Sequence, residues 1–315
     1  MPDDQSRHYA GDLTHSKRIL AMTTSAAGNV EVQPSGAALG ADIVGINLQT
    51  DLTDATFAQI EDAWHQHSVL RFRGQQLDDD TLAAFSARFG ALDMAPVTRS
   101  GKPYILERPE ITVLSNVVVD GKAMGALGNS ELVWHQDMSY NELPPKASLL
   151  YGIEVPKEGG DTQFYSLYEA YNTLPADLAR RIQGVTCKHD ATRTSSGELR
   201  HGYEESYSNE ERPGAVHPLV VRHPASGRKA LYLGRRPNAW IVGLSNADSD
   251  ALLDELWAHI ANHDFVWTQQ WQVGDLVIWD NRCALHRRNQ LDPATRRLMH
   301  RTQVQDVATP VAGWD

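Results

Sequence analysis

With 315 residues, 41% of them hydrophobic, the chain can bury a substantial core, and β-rich domains of this size often form one unit. A net charge of -11 at pH 7 argues against nucleic acid as a partner, because phosphate binding needs a basic face. No apolar run approaches the ~20 residues of a membrane span, and two cysteines are too few for a disulfide framework, which fits a reducing, cytoplasmic setting.

Residues 1–30 are polar, mixed in charge and without the apolar stretch of a secretory signal. They are read as a disordered leader or expression remnant, followed by one domain over 31–308 and a tail over 309–315. Thr53-Asp54 is a helix N-cap signal, and Phe57, Ile60, Ala63 and Trp64 repeat at helical spacing through Ala55 to His67. Val69 to Phe72 reads as a strand. A second helix is expected from Asp80 to Phe89, with Gly90 just past its end. From residue 111 onward short strands dominate, at 111–118, 146–155, 185–189, 216–222, 229–233, 265–271, 275–280 and 296–304. Helices interrupt them at 166–174, at 175–183 and at 247–263, where Leu252, Leu253, Leu256, Trp257 and Ile260 form an apolar stripe. Many short strands bounded by turn residues predict a mainly β sandwich or jelly roll with flanking helices.

His135 and Asp137 stand two apart in Trp134-His135-Gln136-Asp137. In an extended segment they project to one side while Gln136 faces away. Two imidazoles and one carboxylate, with other positions left open, is the ligand set of a non-haem iron(II) oxygenase. A lone His-x-Asp is no rarer than chance, so a third ligand must come from the later histidines, His189, His201, His217, His223, His259, His263, His286 and His300. His286 stands out: it follows a strand bounded by Gly274-Asp275 and precedes an arginine-rich segment. Zinc competes as the metal, but a hydrolytic zinc site would show ligands at helical spacing or a cysteine cluster.

Six arginines fall within residues 280–301: Arg282, Arg287, Arg288, Arg296, Arg297 and Arg301. Such a cluster in an acidic chain suggests a small anionic ligand, or else a charged strand edge facing solvent. Read as a strand, Arg297, Met299, Arg301 and Gln303 share one face. Two guanidiniums there could each hold a carboxylate bidentately.

The chain resembles the taurine/2,4-dichlorophenoxyacetate (TauD/TfdA) family of 2-oxoglutarate-dependent iron(II) dioxygenases over roughly residues 31–305. The matching segments are Ser35 to Ala41, Val69 to Gln75, Leu114-Ser115-Asn116-Val117, Trp134 to Asp137, Gly159-Gly160-Asp161-Thr162, Gly274-Asp275 and Trp279-Asp280-Asn281-Arg282, in the family's order and spacing. The resemblance implies a double-stranded β-helix, a cupin-like jelly roll, with His135, Asp137 and His286 as the facial triad for Fe(II). It implies that Thr162, in the Gly-Gly-Asp-Thr turn, bonds a carboxylate of the cosubstrate 2-oxoglutarate. Arg297, eleven residues after His286, would clamp its distal carboxylate, and Arg301, fifteen after, would meet the substrate's acid group or help close the site. O2 is the second cosubstrate, succinate and CO2 the by-products, and hydroxylation the outcome. Where the carbon bears an ether oxygen or a sulfonate, the hydroxylated product breaks its C–O or C–S bond. Related halogenases lack the carboxylate that Asp137 provides.

One departure concerns substrate. The taurine enzyme's His-Pro-Val-Tyr run is here Ala95-Pro96-Val97-Thr98, whereas residues 114–122 and 279–283 lean toward the aryloxyalkanoate side. The expected function is therefore oxidation of a small carboxylate, an aryloxyalkanoate being the nearer match. A sulfonate dioxygenase and a non-catalytic or zinc cupin-type binding protein are the alternatives. Asn116, Lys188 and Tyr104 are added as candidate substrate residues, with Met124, Arg193 and Tyr203 as pocket or lid candidates. Association into a dimer or tetramer is expected from the family.

Overall fold

A computed structural model describes residues 30–50, 52–98, 101–125, 132–195 and 197–314. The expected leader therefore lies outside the described residues, except for its last, Val30. β1 (Glu31–Pro34) and β2 (Ala41–Val44) form an antiparallel pair, and α1 (Asp54–His67) follows, its first turn capped by the Thr53 side chain accepting from the Thr56 N–H. Ser68, in the left-handed region at φ 64°, ends the helix and feeds β3 (Val69–Phe72), which lies parallel to β2. α2 (Asp79–Ala87), capped by Asp78, leads to β4 (Thr112–Ser115) and the short hairpin of β5 (Val118–Val119) with β6 (Lys122–Ala123). Then come β7 (Ala147–Glu154), β8 (Thr162–Ser166), α3 (Leu167–Asn172) and α4 (Ala176–Arg181). A group of small strands follows: β9 (Thr186–Lys188), β10 (Val216–Pro218), β11 (Val220–Arg222), β12 (Lys229–Leu231) and β13 (Trp240–Ile241). α5 (Asn246–Ala261), β14 (Val266–Gln269), β15 (Leu276–Asp280), β16 (Ala284–Arg288) and β17 (Leu298–Val304) complete the order.

The strands assemble into a seven-stranded sheet ordered β1-β2-β3-β15-β7-β17-β4 and a three-stranded sheet ordered β14-β8-β16, the two layers of the expected jelly roll. Period-two alternation decides what each strand does. On β15, Leu276 and Ile278 face outward and pack with Phe57, Ile60 and Trp64 of α1 and Phe85 of α2, while Val277 and Trp279 face inward onto Leu150, Phe164 and Met299. β17 behaves the same way: His300 and Thr302 turn out to bond Asp79 and Ser86 of α2. Arg297, Met299, Arg301 and Gln303 turn in, as the expected shared face required.

The strands differ from the expectation in two ways, and the tail in one. β1, β2, β6, β8, β13 and β16 are not among the expected strands; in β8 and β16, Gln163 and the charged Arg287-Arg288 mask the alternation. Thr162 therefore begins a strand instead of lying in the turn, and His286, which does follow the strand after Gly274-Asp275, itself sits at the middle of β16. The expected strand over 216–222 is broken at Leu219 into β10 and β11, which pair with different partners. Residues 309–314, expected as a tail, pack against the body: Gly313 N–H donates to Val220 O at 2.8 Å, Ala312 bridges Val221, and Trp314 meets the core under α3 and α5.

The turn from β15 to β16 joins the two sheets, and Asp280 anchors it. Both oxygens of this buried carboxylate accept from Arg282, at 2.9 and 2.7 Å, and His223 lies 2.8 Å from one of them. Burial opposes its ionisation, yet Arg282 and His223 hold the carboxyl far below the ordinary range. Asp280→Asn should cost about 3–5 kcal/mol at pH 7, the loss seen when one member of a buried ion pair is removed. Because the folded pKa is depressed, this stability is present above the unfolded value of about 3.9 and is lost as pH falls below it. Urea unfolding of both proteins from pH 7 to 3 should show the difference narrowing only below about pH 4; a constant difference would contradict it.

Candidate active site

Residues 133–140 form no strand, so neighbouring elements must hold them. His135 and His286 exchange backbone hydrogen bonds, His135 N–H to His286 O at 3.0 Å and His286 N–H to His135 O at 2.9 Å, which docks the segment on β16. Asn281, in the β15–β16 turn, accepts the Asp137 N–H at 2.7 Å and donates its amide to Asp137 O at 2.8 Å and Pro145 O at 2.9 Å. Gln136 points the other way, donating to Asn281 O and accepting the Gly234 N–H at 3.0 Å. Gly234 has φ 59°, and a Cβ there would come within 2.0 Å of His189 Nδ1, so only glycine fits this close approach.

The three side chains consequently meet. His135 Nε2 and His286 Nε2 lie 3.9 and 3.8 Å from Asp137 Oδ1, with the imidazole centroids 4.2 Å apart. All three residues are buried. Burial, with His135 alongside, pushes the His286 pKa down to about 3 and keeps the ring in its neutral, ligating form. Burial opposes charge on Asp137, but Arg301, His286, His135 and the Ser148 hydroxyl together hold it ionised. Two imidazole nitrogens and one anionic oxygen, close enough for one ion to touch all three, fit a divalent metal.

A second group, His223, Asp280 and Cys283, is as tightly clustered and as buried. It does not fit a metal. The Arg282 guanidinium already neutralises Asp280 through two bonds, and burial pushes the Cys283 thiol up to about 12, far from its ligating thiolate form.

Leu114, Leu150, Thr162, Trp279, His286, Arg288, Arg297 and Arg301 line one cavity beside the triad. Thr162 Oγ1 accepts from Trp271 Nε1 at 3.0 Å, which leaves its own proton to donate to an anion. Arg297 is 1% exposed, and burying a guanidinium is costly unless anionic charge meets it. Arg301 places Nη1 3.4 Å from Asp137 Oδ1, while its buried Nε has no hydrogen-bond partner among the described residues. The arginine cluster divides on folding. Arg282 pairs with Asp280, Arg287 lies 4.5 Å over the Trp134 ring and Arg296 pairs with Glu154 at the surface, whereas Arg288, Arg297 and Arg301 reach the cavity. Sequence pattern did not single out Arg288; its signal was its position two residues after His286 on one strand face.

The other candidate substrate residues are placed differently. Asn116 commits its side chain to backbone, donating to Thr295 O at 2.7 Å and accepting the Arg297 N–H at 2.8 Å, so it holds the start of β17. Lys188 lies on β9 with Nζ 2.5 Å from Glu210 O, and neither it nor Tyr104 lines the cavity.

Residues 31–303 match the family described as taurine catabolism dioxygenase TauD, TfdA family. The chain is 35% identical over 286 residues to the alpha-ketoglutarate-dependent 2,4-dichlorophenoxyacetate dioxygenase of Cupriavidus pinatubonensis, covering 89% of this chain and 99% of that one. It is 32% identical over 306 residues to pentalenolactone F synthase of Streptomyces arenae, covering 90% and 98%. Among solved structures, a putative alpha-ketoglutarate-dependent taurine dioxygenase of Burkholderia xenovorans superposes with a TM-score of 0.73 at 31% identity, covering 90% and 91%. The chain belongs to the TauD/TfdA family and is a 2-oxoglutarate-dependent dioxygenase, with iron(II), 2-oxoglutarate and O2 as the partners of its chemistry.

Proposed function

We propose that this dioxygenase hydroxylates a small carboxylate-bearing substrate, an aryloxyalkanoate being the chemistry favoured, at a metal held by His135, Asp137 and His286. The observation that carries this reading is the convergence of Arg288, Arg297 and Arg301 with Thr162 on the cavity beside the triad. If Arg297 meets one carboxylate of 2-oxoglutarate, Arg301, on the same strand face, is placed to meet the acid group of a substrate. When bound, iron(II) with 2-oxoglutarate and O2 supplies an oxidant that replaces a C–H hydrogen by hydroxyl, while 2-oxoglutarate becomes succinate and CO2.

The chain's own residues divide the remaining work. Arg297 and the Thr162 hydroxyl bind the cosubstrate's distal carboxylate, and Trp271 orients that hydroxyl. Arg301, next to Asp137, binds the substrate's acid group and so sets which carbon faces the metal. Leu114, Leu150 and Trp279 supply apolar wall that excludes water and receives an organic body. Asn116 acts through Arg297, by fixing its backbone. With an aryloxyacetate, hydroxylation beside the ether oxygen gives a hemiacetal whose C–O bond breaks.

The relative from Cupriavidus supports the aryloxyalkanoate reading by its name, and the absence of the taurine enzyme's His-Pro-Val-Tyr run, here Ala95 to Thr98, weighs against sulfonates. A cytoplasmic location suits the two buried free cysteines, and no helix among the described residues is long and apolar enough to cross a membrane. Assembly into a dimer or tetramer belongs to the same proposal and is measurable by light scattering.

Two outcomes are expected. In a panel of phenoxyacetates, taurine-like sulfonates and alkyl sulfate esters, with Fe(II), ascorbate and 2-oxoglutarate, phenoxyacetates should raise succinate release most; a stronger response to sulfonates would reverse the assignment. Arg301→Met should raise KM for the acid substrate roughly 10- to 100-fold, the worth of a charged hydrogen-bonded pair, with little change in KM for 2-oxoglutarate. Arg297→Met should do the opposite, and His135→Ala should abolish turnover.

A further inference from the structure

Only one oxygen of Asp137 faces the other two ligands. Oδ1 lies 3.9 Å from His135 Nε2, 3.8 Å from His286 Nε2 and 3.4 Å from Arg301 Nη1. Oδ2 turns away and accepts from the Ser148 hydroxyl at 2.8 Å. Ser148 Oγ is in turn 3.2 Å from Gln303 Nε2. Ser148 is 0% exposed and Gln303 5%, and the two are cross-strand partners on β7 and β17, on the inward face of the large sheet.

We propose that Gln303 and Ser148 form a positioning relay that makes Asp137 a single-oxygen metal ligand. The inference rests on the assignment of His135, Asp137 and His286 as the ligand set. The polarity of the chain follows from donor chemistry: an amide N–H can only donate, so the Ser148 oxygen accepts from Gln303 and its one proton goes to Asp137 Oδ2. The opposite amide orientation would bring an oxygen to Ser148 and compete with Asp137 for that proton. In this buried row the carboxylate selects the orientation of the glutamine.

The consequence is a count of coordination positions. A carboxylate that binds through one oxygen takes one position, and one that chelates takes two. Two imidazoles and a single-oxygen carboxylate leave the open positions that a 2-oxoglutarate-dependent oxygenase needs. Chelation by Asp137 would remove one of them, and the hydrogen bond to Oδ2 opposes it by tying that oxygen to the sheet. Outer groups that orient a ligand in this way are commonly worth 10- to 100-fold in metal affinity or activity. Ser148 and Gln303 touch neither cavity nor metal position, so they position and do not catalyse.

The test uses the full chain, stripped of metal and titrated with Co(II), whose visible d–d bands report coordination, before and after 2-oxoglutarate is added. Thermal unfolding is followed in parallel. Loss of Co(II) binding in His135→Ala establishes the ligand set; retention of wild-type binding there would remove the assignment itself. With the ligand set established, Ser148→Ala should weaken Co(II) binding roughly 10-fold and change the shape of the bands recorded with 2-oxoglutarate. Ser148→Thr, which keeps the hydroxyl, should restore both. Gln303→Leu should shift both in the same direction by less. Wild-type affinity and bands in Ser148→Ala would overturn the relay, as would failure of Ser148→Thr to recover what Ser148→Ala loses. If Ser148→Ala does not fold, Gln303→Leu decides by the same two readouts.

Discussion

Asn281 makes the hydrogen bonds on which the active site depends. The loop carrying His135 and Asp137 has no sheet of its own, and a free loop would spend its backbone groups on water. Asn281 meets three of the loop's backbone groups, two of Asp137 and one of Pro145, and its carbonyl takes the Gln136 amide. With the His135–His286 backbone pair, this ties the loop to the turn between β15 and β16. That turn joins the two sheets, so the geometry of the ligand cluster is the geometry of the fold.

Charge organises the space around that cluster. Arg297 and Arg301 are drawn inside by the alternation of β17, whose other face is occupied by α2. Buried guanidiniums are unfavourable in an apolar setting unless anions meet them. Asp137 offsets part of that cost for Arg301, and a ligand carboxylate is a natural further complement for it. Recognition of acids is in this sense a consequence of placing arginines on the inner face of a sheet.

The two buried His–Asp clusters differ in ways that composition alone does not define. His223, Asp280 and Cys283 are ligating residue types in close contact, yet Arg282 saturates the carboxylate and ties the cluster to the ring of Trp64, 5.3 Å from its guanidinium. In the first cluster, the groups that touch Asp137 Oδ2 and the backbone leave Oδ1 and both Nε2 atoms turned toward one another. One arrangement holds the fold and the other leaves its donor atoms facing one another, and the neighbours make the difference.

Much of this was legible in the linear chain. Helical spacing and caps placed α1, α2 and α5 to within about two residues, because those signals are local. The separation of two in His135-Gln136-Asp137 placed both ligands on one side, and the same periodicity put Arg297 and Arg301 together. β8 and β16 escaped because their alternation is overlaid by charge and by helix-forming neighbours. His286 stood out among eight downstream histidines, yet no local pattern could bring it to His135, since a contact between residues 135 and 286 leaves no local trace. Asn116 looked like a substrate residue and proved to hold backbone, because a side chain's partner depends on which strands lie beside it. By itself the sequence determined the family and, by period, the shared side of His135 with Asp137 and of Arg297 with Arg301. Only the tertiary structure decided which of the clustered arginines reach the cavity, which oxygen of Asp137 faces it and which His–Asp cluster is left open, since each is a property of segments brought together across the sheets.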